Sequence, residues 1–281
     1  MKIIGLIANL TKDPSGIKTR RIVEIARSLD MRVQVIPGVH DIIKVGEPTP
    51  EQQLYSLSDI IVSLGGDGTL LQAACQAALW DKPIMGINTG NLGFLTDGDF
   101  SQAPKALEAL KEGEYYIERR MMLEGTIVRG EKSCSPFLAF NDIGIMKALV
   151  SRIIQLKASV NSHEINSYSG DGLLVSSPTG STAYSLSAGG PIVDPSLECL
   201  LLTPICPHSL NARSIIINCN DIIEIEIMCP DRDIALTADG QAVATLIGGD
   251  RILVKKADTY VQLLRTKKQN FFDLIHEKII I

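Results

Sequence analysis

The chain has 281 residues, 45% of them hydrophobic and 21% charged, with a formal net charge of −5 at pH 7. That length and balance fit a soluble globular protein of two domains, and no apolar run approaches the roughly 20 residues of a membrane helix. The acidic charge argues against nucleic-acid binding, and six cysteines without a C-x-x-C pair indicate neither a zinc site nor a disulfide framework.

Met1-Lys2-Ile3-Ile4-Gly5 runs directly into a strand pattern with no basic-then-apolar leader, so a cytoplasmic location is expected. The first strand covers residues 2–8, and a polar loop covers 9–15. A helix should start at Ser15 or Thr19 and reach Leu29, with Ile22, Val23, Ile25, Ala26 and Leu29 as its apolar stripe. Residues 32–36 read as a second strand stopped by Pro37-Gly38. A loop with two prolines follows at 46–50, and the segment after it is weakly patterned. The third strand, 59–64, is an apolar, β-branched run of the kind buried in parallel sheets. It feeds Gly65-Gly66-Asp67-Gly68-Thr69 and then the helix-prone Leu70-Leu71-Gln72-Ala73-Ala74. Residues 83–88 form a fourth strand, followed by Thr89-Gly90-Asn91-Leu92-Gly93-Phe94-Leu95-Thr96, and 102–111 a short amphipathic helix. Strands alternating with helices imply a parallel sheet with helices on its faces, with ligands at the carboxyl ends of the strands. The 65–69 and 89–96 loops both lie at that edge.

Near Tyr115 the texture changes. From there to about Leu264 the pattern is of short strands and turns, an all-β, sandwich-like second domain. Ile222-Ile223-Glu224-Ile225-Glu226-Ile227 alternates with period 2, and 241–247, 251–254 and 259–264 read as further strands. Gly248-Gly249-Asp250 is a turn, and Gly130-Glu131-Lys132-Ser133 a hairpin tip. The interruption is Pro178-Thr179-Gly180-Ser181-Thr182-Ala183-Tyr184, a polar loop entering a short helix that Gly189-Gly190-Pro191 stops. Residues 270–281 form a short helix on Phe271, Phe272, Leu274 and Ile275.

A glycine-rich strand–helix turn leaves backbone N–H groups free for an anion. A carboxylate there repels phosphate unless it works on a hydroxyl or a metal; the alternative is that Asp67 caps the helix. The glycine order is neither G-x-x-x-x-G-K-[ST] nor G-x-G-x-x-G. It resembles the signature of the superfamily that holds NAD kinases, diacylglycerol and sphingosine kinases, and more distantly phosphofructokinases. Gly170-Asp171-Gly172, Pro178-Thr179-Gly180-Ser181-Thr182-Ala183-Tyr184, Leu202-Thr203-Pro204-Ile205-Cys206-Pro207-His208 and Asp239-Gly240-Gln241 complete an ordered set. With that set the chain resembles a bacterial-type NAD kinase along essentially its whole length.

The resemblance implies ATP-dependent phosphorylation of the 2′-hydroxyl on the adenosine ribose of NAD, giving NADP. It implies Asp67 as catalytic base and Gly65, Gly66, Gly68 and Thr69 as amides approaching the donor phosphates. Phe94, Asn141, Asp142, Arg152, Asp171, Thr182, Ala183, Tyr184, Ser185, Leu186, Ser187 and Gln241 become dinucleotide contacts, Tyr184 by stacking. Read alone, Asn141-Asp142 is an Asx turn, Tyr184 and Phe94 are half-buried core rings, and Arg152 is a solvated surface charge. No lysine follows the loop, so a divalent cation, Mg²⁺ or another, is expected to neutralise the triphosphate. No protein metal-ligand set is expected; His208 has no ligand-spaced companions. The implied partners are NAD, ATP and further copies of the chain, as a homodimer or homotetramer. The implied layout is an α/β domain at 1–118, a β-rich dinucleotide-binding domain at 119–264 and a tail at 265–281 packing back on the first domain, with the dinucleotide in the cleft between domains. Gln72 stands where many relatives carry a basic residue, and Ser177 where Thr is more usual. The alternatives are a lipid or other small-hydroxyl kinase sharing the glycine loop, and a non-catalytic dinucleotide sensor.

Overall fold

In the computed structural model, which describes residues 1–90, 93–148, 153–209, 211–229 and 234–280, the backbone divides into two units. One is Met1–Arg119 with Val261–Ile281, the other Arg120–Tyr260. The first unit alternates strand and helix: β1 (Ile3–Ala8), α1 (Ile17–Ser28), β2 (Arg32–Val35), α2 (Pro37–Ile43), β3 (Glu47–Pro48), α3 (Glu51–Leu57), β4 (Ile60–Gly65), α4 (Asp67–Leu79), β5 (Ile84–Asn88), β6 (Gly98–Asp99) and α5 (Ala103–Glu112). The strands pair in parallel in the order β5-β4-β1-β2-β3. Every residue of β4 and β5 is buried, as expected where helices cover both faces of a sheet. The apolar stripe of α1 supplies Ile22, Val23 and Ala26 to the core shared with β1, β2 and β4.

Three expectations need correction here. Helix α1 begins at Ile17, after a left-handed Gly16, because the cap comes from upstream. The buried Asp13 carboxylate accepts Thr19 N at 2.8 Å and Lys18 N at 3.4 Å, so neither Ser15 nor Thr19 serves as the cap. Pro37 does not merely stop β2; it occupies the first turn of α2, where its missing N–H costs nothing. The weakly patterned segment holds α3, which buries only Leu54 and Tyr55.

The chain enters the second unit along β7 (Tyr116–Arg129) and continues through β8 (Lys132–Ser133), β9 (Phe137–Ala139), β10 (Asp142–Lys147), β11 (Ile154–Val160), β12 (His163–Gly170), β13 (Gly172–Ser176), α6 (Tyr184–Ser187), β14 (Cys199–Ile205), β15 (Ile215–Asn218), β16 (Ile223–Ile227), β17 (Ile234–Ala238), β18 (Gln241–Leu246) and β19 (Arg251–Arg265). One antiparallel sheet has the order β15-β14-β13-β10-β17-β18. The antiparallel run β12-β11-β16-β19 lies in the other sheet, and β7 pairs with β8 and β9. Ile143, Ile145, Leu173, Val175, Leu200 and Leu202 from the first meet Leu156, Ile225, Ile252 and Val254 from the second in one core. The sandwich expectation holds, but not all its strands are short. Residues 251–254 and 259–264 belong to the single strand β19.

The last residues of β19 return to the first unit, where Leu263 pairs in parallel with Ile84 of β5. Thr266 N donates to the Asp97 carboxylate at 3.2 Å and Gln269 Nε2 to the Asp97 carbonyl at 3.0 Å, which fastens the tail before α7 (Phe271–Ile275).

Candidate active site

The parallel register of the first unit decides where its loops emerge. Ala8 lies beside Leu64, and Gly65 beside Asn88, so the segments after β1, β4 and β5 leave the sheet at one edge. Hydrogen bonds join them there. Thr89 N donates to Gly65 O at 2.8 Å, Asn9 N to Leu64 O at 2.9 Å, and Asn9 Nδ2 to the Thr69 hydroxyl at 3.1 Å.

Asp67 opens α4, and the side chain does not cap its own helix. Its Oδ2 accepts the Phe94 N–H at 2.7 Å and its Oδ1 the Leu95 N–H at 3.2 Å. Gly93 faces the carboxylate so closely that a Cβ there would overlap it. Leu95 is itself held. Its carbonyl accepts Arg265 Nη1 at 2.9 Å, and that guanidinium, 2% exposed, is paired with Glu118 at 3.0 Å. A chain of contacts therefore fixes the carboxylate: Glu118 to Arg265 to Leu95 to Asp67. Each Asp67 oxygen keeps lone-pair capacity for a further donor. The Phe94 ring sits with the Lys278 ammonium 5.7 Å from its centroid.

In the second unit Asn141 directly precedes β10 and Asp142 opens it, and the residue that organises them is Asp239. Asp239 and Gly240, with φ of 51° and 74°, form the two-residue turn between Ala238 and Gln241, and two positive φ values are the mark of a type I′ hairpin. From that turn the Asp239 carboxylate accepts the N–H groups of Phe140, Asn141 and Asp142 at 2.8, 2.6 and 3.1 Å. Asp142 is 6% exposed. Burial, and secondarily the charge of Asp239, pushes its carboxyl up to about 7. Gln241 itself lies exposed at the start of β18.

The segment 177–187 packs against the same strand end. Ser177 donates its hydroxyl to Phe140 O at 2.6 Å and accepts Gly180 N at 3.1 Å, so the hydroxyl alone meets this demand where a threonine is more usual. The Ser185 hydroxyl is fully buried against Thr203 at 3.2 Å and supports the turn from beneath. Thr182, Ala183 and Leu186 are half-buried and Ser187 is exposed, while Tyr184 is 42% exposed at the first residue of α6. Asp171 pairs with Lys147 at 2.6 Å. Arg152 lies outside the described residues.

Sequence reading gave no positioning role to Gly93, to Arg265 or to the Asp239 carboxylate.

Two family models match the chain: the ATP-NAD kinase N-terminal domain over residues 17–115 and the ATP-NAD kinase C-terminal domain over residues 140–266. The NAD kinase of Thermoanaerobacter sp. (strain X514) is 41% identical over 284 residues, covering 99% of either chain. The chain belongs to the NAD kinase family. The NAD kinase of Natranaerobius thermophilus is 39% identical over 280 residues, covering 99% of this chain and 98% of that relative. Among solved structures, yeast NADH kinase complexed with NADH has a TM-score of 0.89 at 27% identity, covering 100% of this chain and 87% of that one. An NAD kinase from Archaeoglobus fulgidus in complex with ATP has a TM-score of 0.77 at 25% identity, covering 99% and 98%. Family membership assigns the chain to NAD phosphorylation and leaves the lipid-kinase alternative without support.

Proposed function

We propose that the protein transfers the terminal phosphoryl group of ATP to the 2′-hydroxyl of the adenosine ribose of NAD, giving NADP, with Asp67 accepting the hydroxyl proton. The observation that carries this is the Asp67 carboxylate, held by two backbone N–H groups beside a glycine-rich strand–helix turn. A base for phosphoryl transfer must be fixed relative to the acceptor, because positioning and electrostatics supply most of the rate. Gly65, Gly66, Gly68 and Thr69 are assigned to the donor phosphates. Asn141, Asp142, Asp171 and the 182–187 segment are assigned to the dinucleotide, with Asp239 and Ser177 fixing the backbone that carries them.

Among the described residues no group of three or more His, Cys, Asp or Glu side chains could hold a metal ion. Mg²⁺ needs only one or two protein carboxylates when phosphate oxygens fill its shell, so a divalent cation fits here as a companion of the triphosphate, whose charge it neutralises. We assign the protein to the cytoplasm and to a homodimer or homotetramer; sedimentation of the purified protein tests the latter. Among the described residues no helix is long and apolar enough to cross a membrane.

Purified protein mixed with Mg-ATP and NAD should form NADP, and should leave diacylglycerol and sphingoid bases in micelles unphosphorylated. Inert NAD with a phosphorylated lipid would reverse the assignment. Tyr184 tests the acceptor side. Its exposed ring is assigned to stacking, worth about 1–3 kcal/mol per base in nucleic-acid sites, so Tyr184→Ala should lower kcat/KM for NAD by about ten-fold or more. The change should fall mainly on KM for NAD, the sign of lost uniform binding, while KM for ATP moves little. An unchanged KM for NAD in a well-folded variant would make Tyr184 a packing residue.

A further inference from the structure

The glycine turn takes an anion without a cation of its own. Phosphate loops of the G-x-x-x-x-G-K-[ST] kind carry a lysine within the loop, whereas 65–72 and the whole of α4 contain no basic residue. A triphosphate laid on this turn has backbone dipoles and its companion cation, and a positioned protein charge is missing from the local sequence.

The segment after β1 supplies one. A Cβ on Gly66 would stand 2.9 Å from Lys12 Nζ, so the absence of a side chain at 66 leaves room for the ammonium directly over the turn. The backbone beneath Lys12 is tied on both sides. Asn9 Oδ1 accepts Thr11 N at 3.0 Å and Lys12 N at 3.3 Å, while its amide donates to Thr69 of the glycine turn. On the other side, Asp13 is buried and bonded to Thr19 at the start of α1. The neighbouring charges are committed. Asp67 holds Phe94 and Leu95, and Lys18 donates to Thr89 O at 2.8 Å, 5.7 Å from the Phe100 centroid. Among the described residues the Lys12 ammonium has no carboxylate or hydrogen-bond partner.

We propose that Lys12 binds the terminal phosphates of the donor nucleoside triphosphate, standing in for the loop lysine that the glycine turn lacks. The inference rests on the function proposed above and names a further residue for that reaction. A lysine ammonium serves a phosphate as a compact point charge, and near the transferring group it offsets the charge on its equatorial oxygens.

The test measures ATP binding and turnover separately. Lys12→Ala should lower kcat/KM for ATP by about 10- to 100-fold, the range of a lost charge-assisted hydrogen bond. KM for NAD should stay within a few-fold. Calorimetry without NAD should show the same weakening for ATP and none for AMP, which lacks the terminal phosphates. Lys12→Arg should restore most of the loss. Wild-type ATP affinity and turnover in Lys12→Ala would overturn the proposal, as would a loss in KM for NAD instead of ATP, or a loss accompanied by a lowered Tm that Arg does not restore. Those failures leave NADP formation by the wild-type protein intact, whereas failure of the proposed function itself appears as no NADP from the wild type.

Discussion

Asp67→Asn is expected to fold and to lose NADP formation by about 10²- to 10⁴-fold, the usual contribution of a positioned general base. The geometry makes this more than a change of charge. Both carboxylate oxygens accept backbone N–H groups, from Phe94 and Leu95. Asparagine retains one acceptor and turns an NH₂ toward the other donor, so one of the two N–H groups loses its partner. The side chain thus loses its capacity to take a proton and part of its fixation together. The loss should appear in kcat with KM for NAD nearly unchanged, because the substrate contacts assigned to the second unit are untouched. Asp67 also has a competing role, fastening residues 94 and 95 to α4. That role alone would produce a lowered Tm with turnover close to wild type, and such a result would remove Asp67 from the chemistry.

Local pattern disclosed the strand and helix on either side of the glycine turn, but neither α2 and α3 nor the contacts that make the candidate site. The apolar run before Gly65 and the glycine turn after it announce β4 and α4, since a buried parallel strand has few alternatives. The gap expected between the strands 251–254 and 259–264 falls on Lys255, Lys256, Ala257 and Asp258, a mostly charged stretch. In the structure β19 runs through it, with Lys255 and Asp258 exposed and Ala257 buried, so the charges lie outward while the strand continues. Pro37 misled for a related reason: proline ends a strand and begins a helix with the same locked φ. The site was half legible. The Asp67, Asn141-Asp142 and 182–187 motifs can be seen in the string, but the partners that fix them lie far away in sequence. Phe94 reaches Asp67 across 27 positions and Asp239 reaches Phe140 across 99. A period of 2 or 3.6 residues carries no information over such separations. Asp239-Gly240 was noted for family resemblance, while its physical content, a tight turn aiming a carboxylate at three N–H groups, needed the fold.

Gly93→Ala is expected to reproduce much of the Asp67 defect from across the loop. A Cβ at position 93 would fall inside the Asp67 carboxylate, so either Asp67 rotates away or the 93–95 backbone withdraws. Withdrawal is opposed, because Arg265, buried and paired with Glu118, grips the Leu95 carbonyl. The base then yields, losing the two N–H groups that orient it, and misplacement on the scale of an ångström costs about 10²-fold in rate. KM for ATP should change little. A double-mutant cycle separates positioning from bulk structural damage. If Gly93 acts by seating the base, adding Gly93→Ala to Asp67→Asn costs little further activity, because no base remains to be misplaced. If the two losses multiply, position 93 acts through another route, and the clamp around Asp67 is packing without a part in the reaction. The Tm of each variant accompanies the cycle. A drop confined to the Gly93 variants, with multiplied rate losses, is the signature of that second outcome.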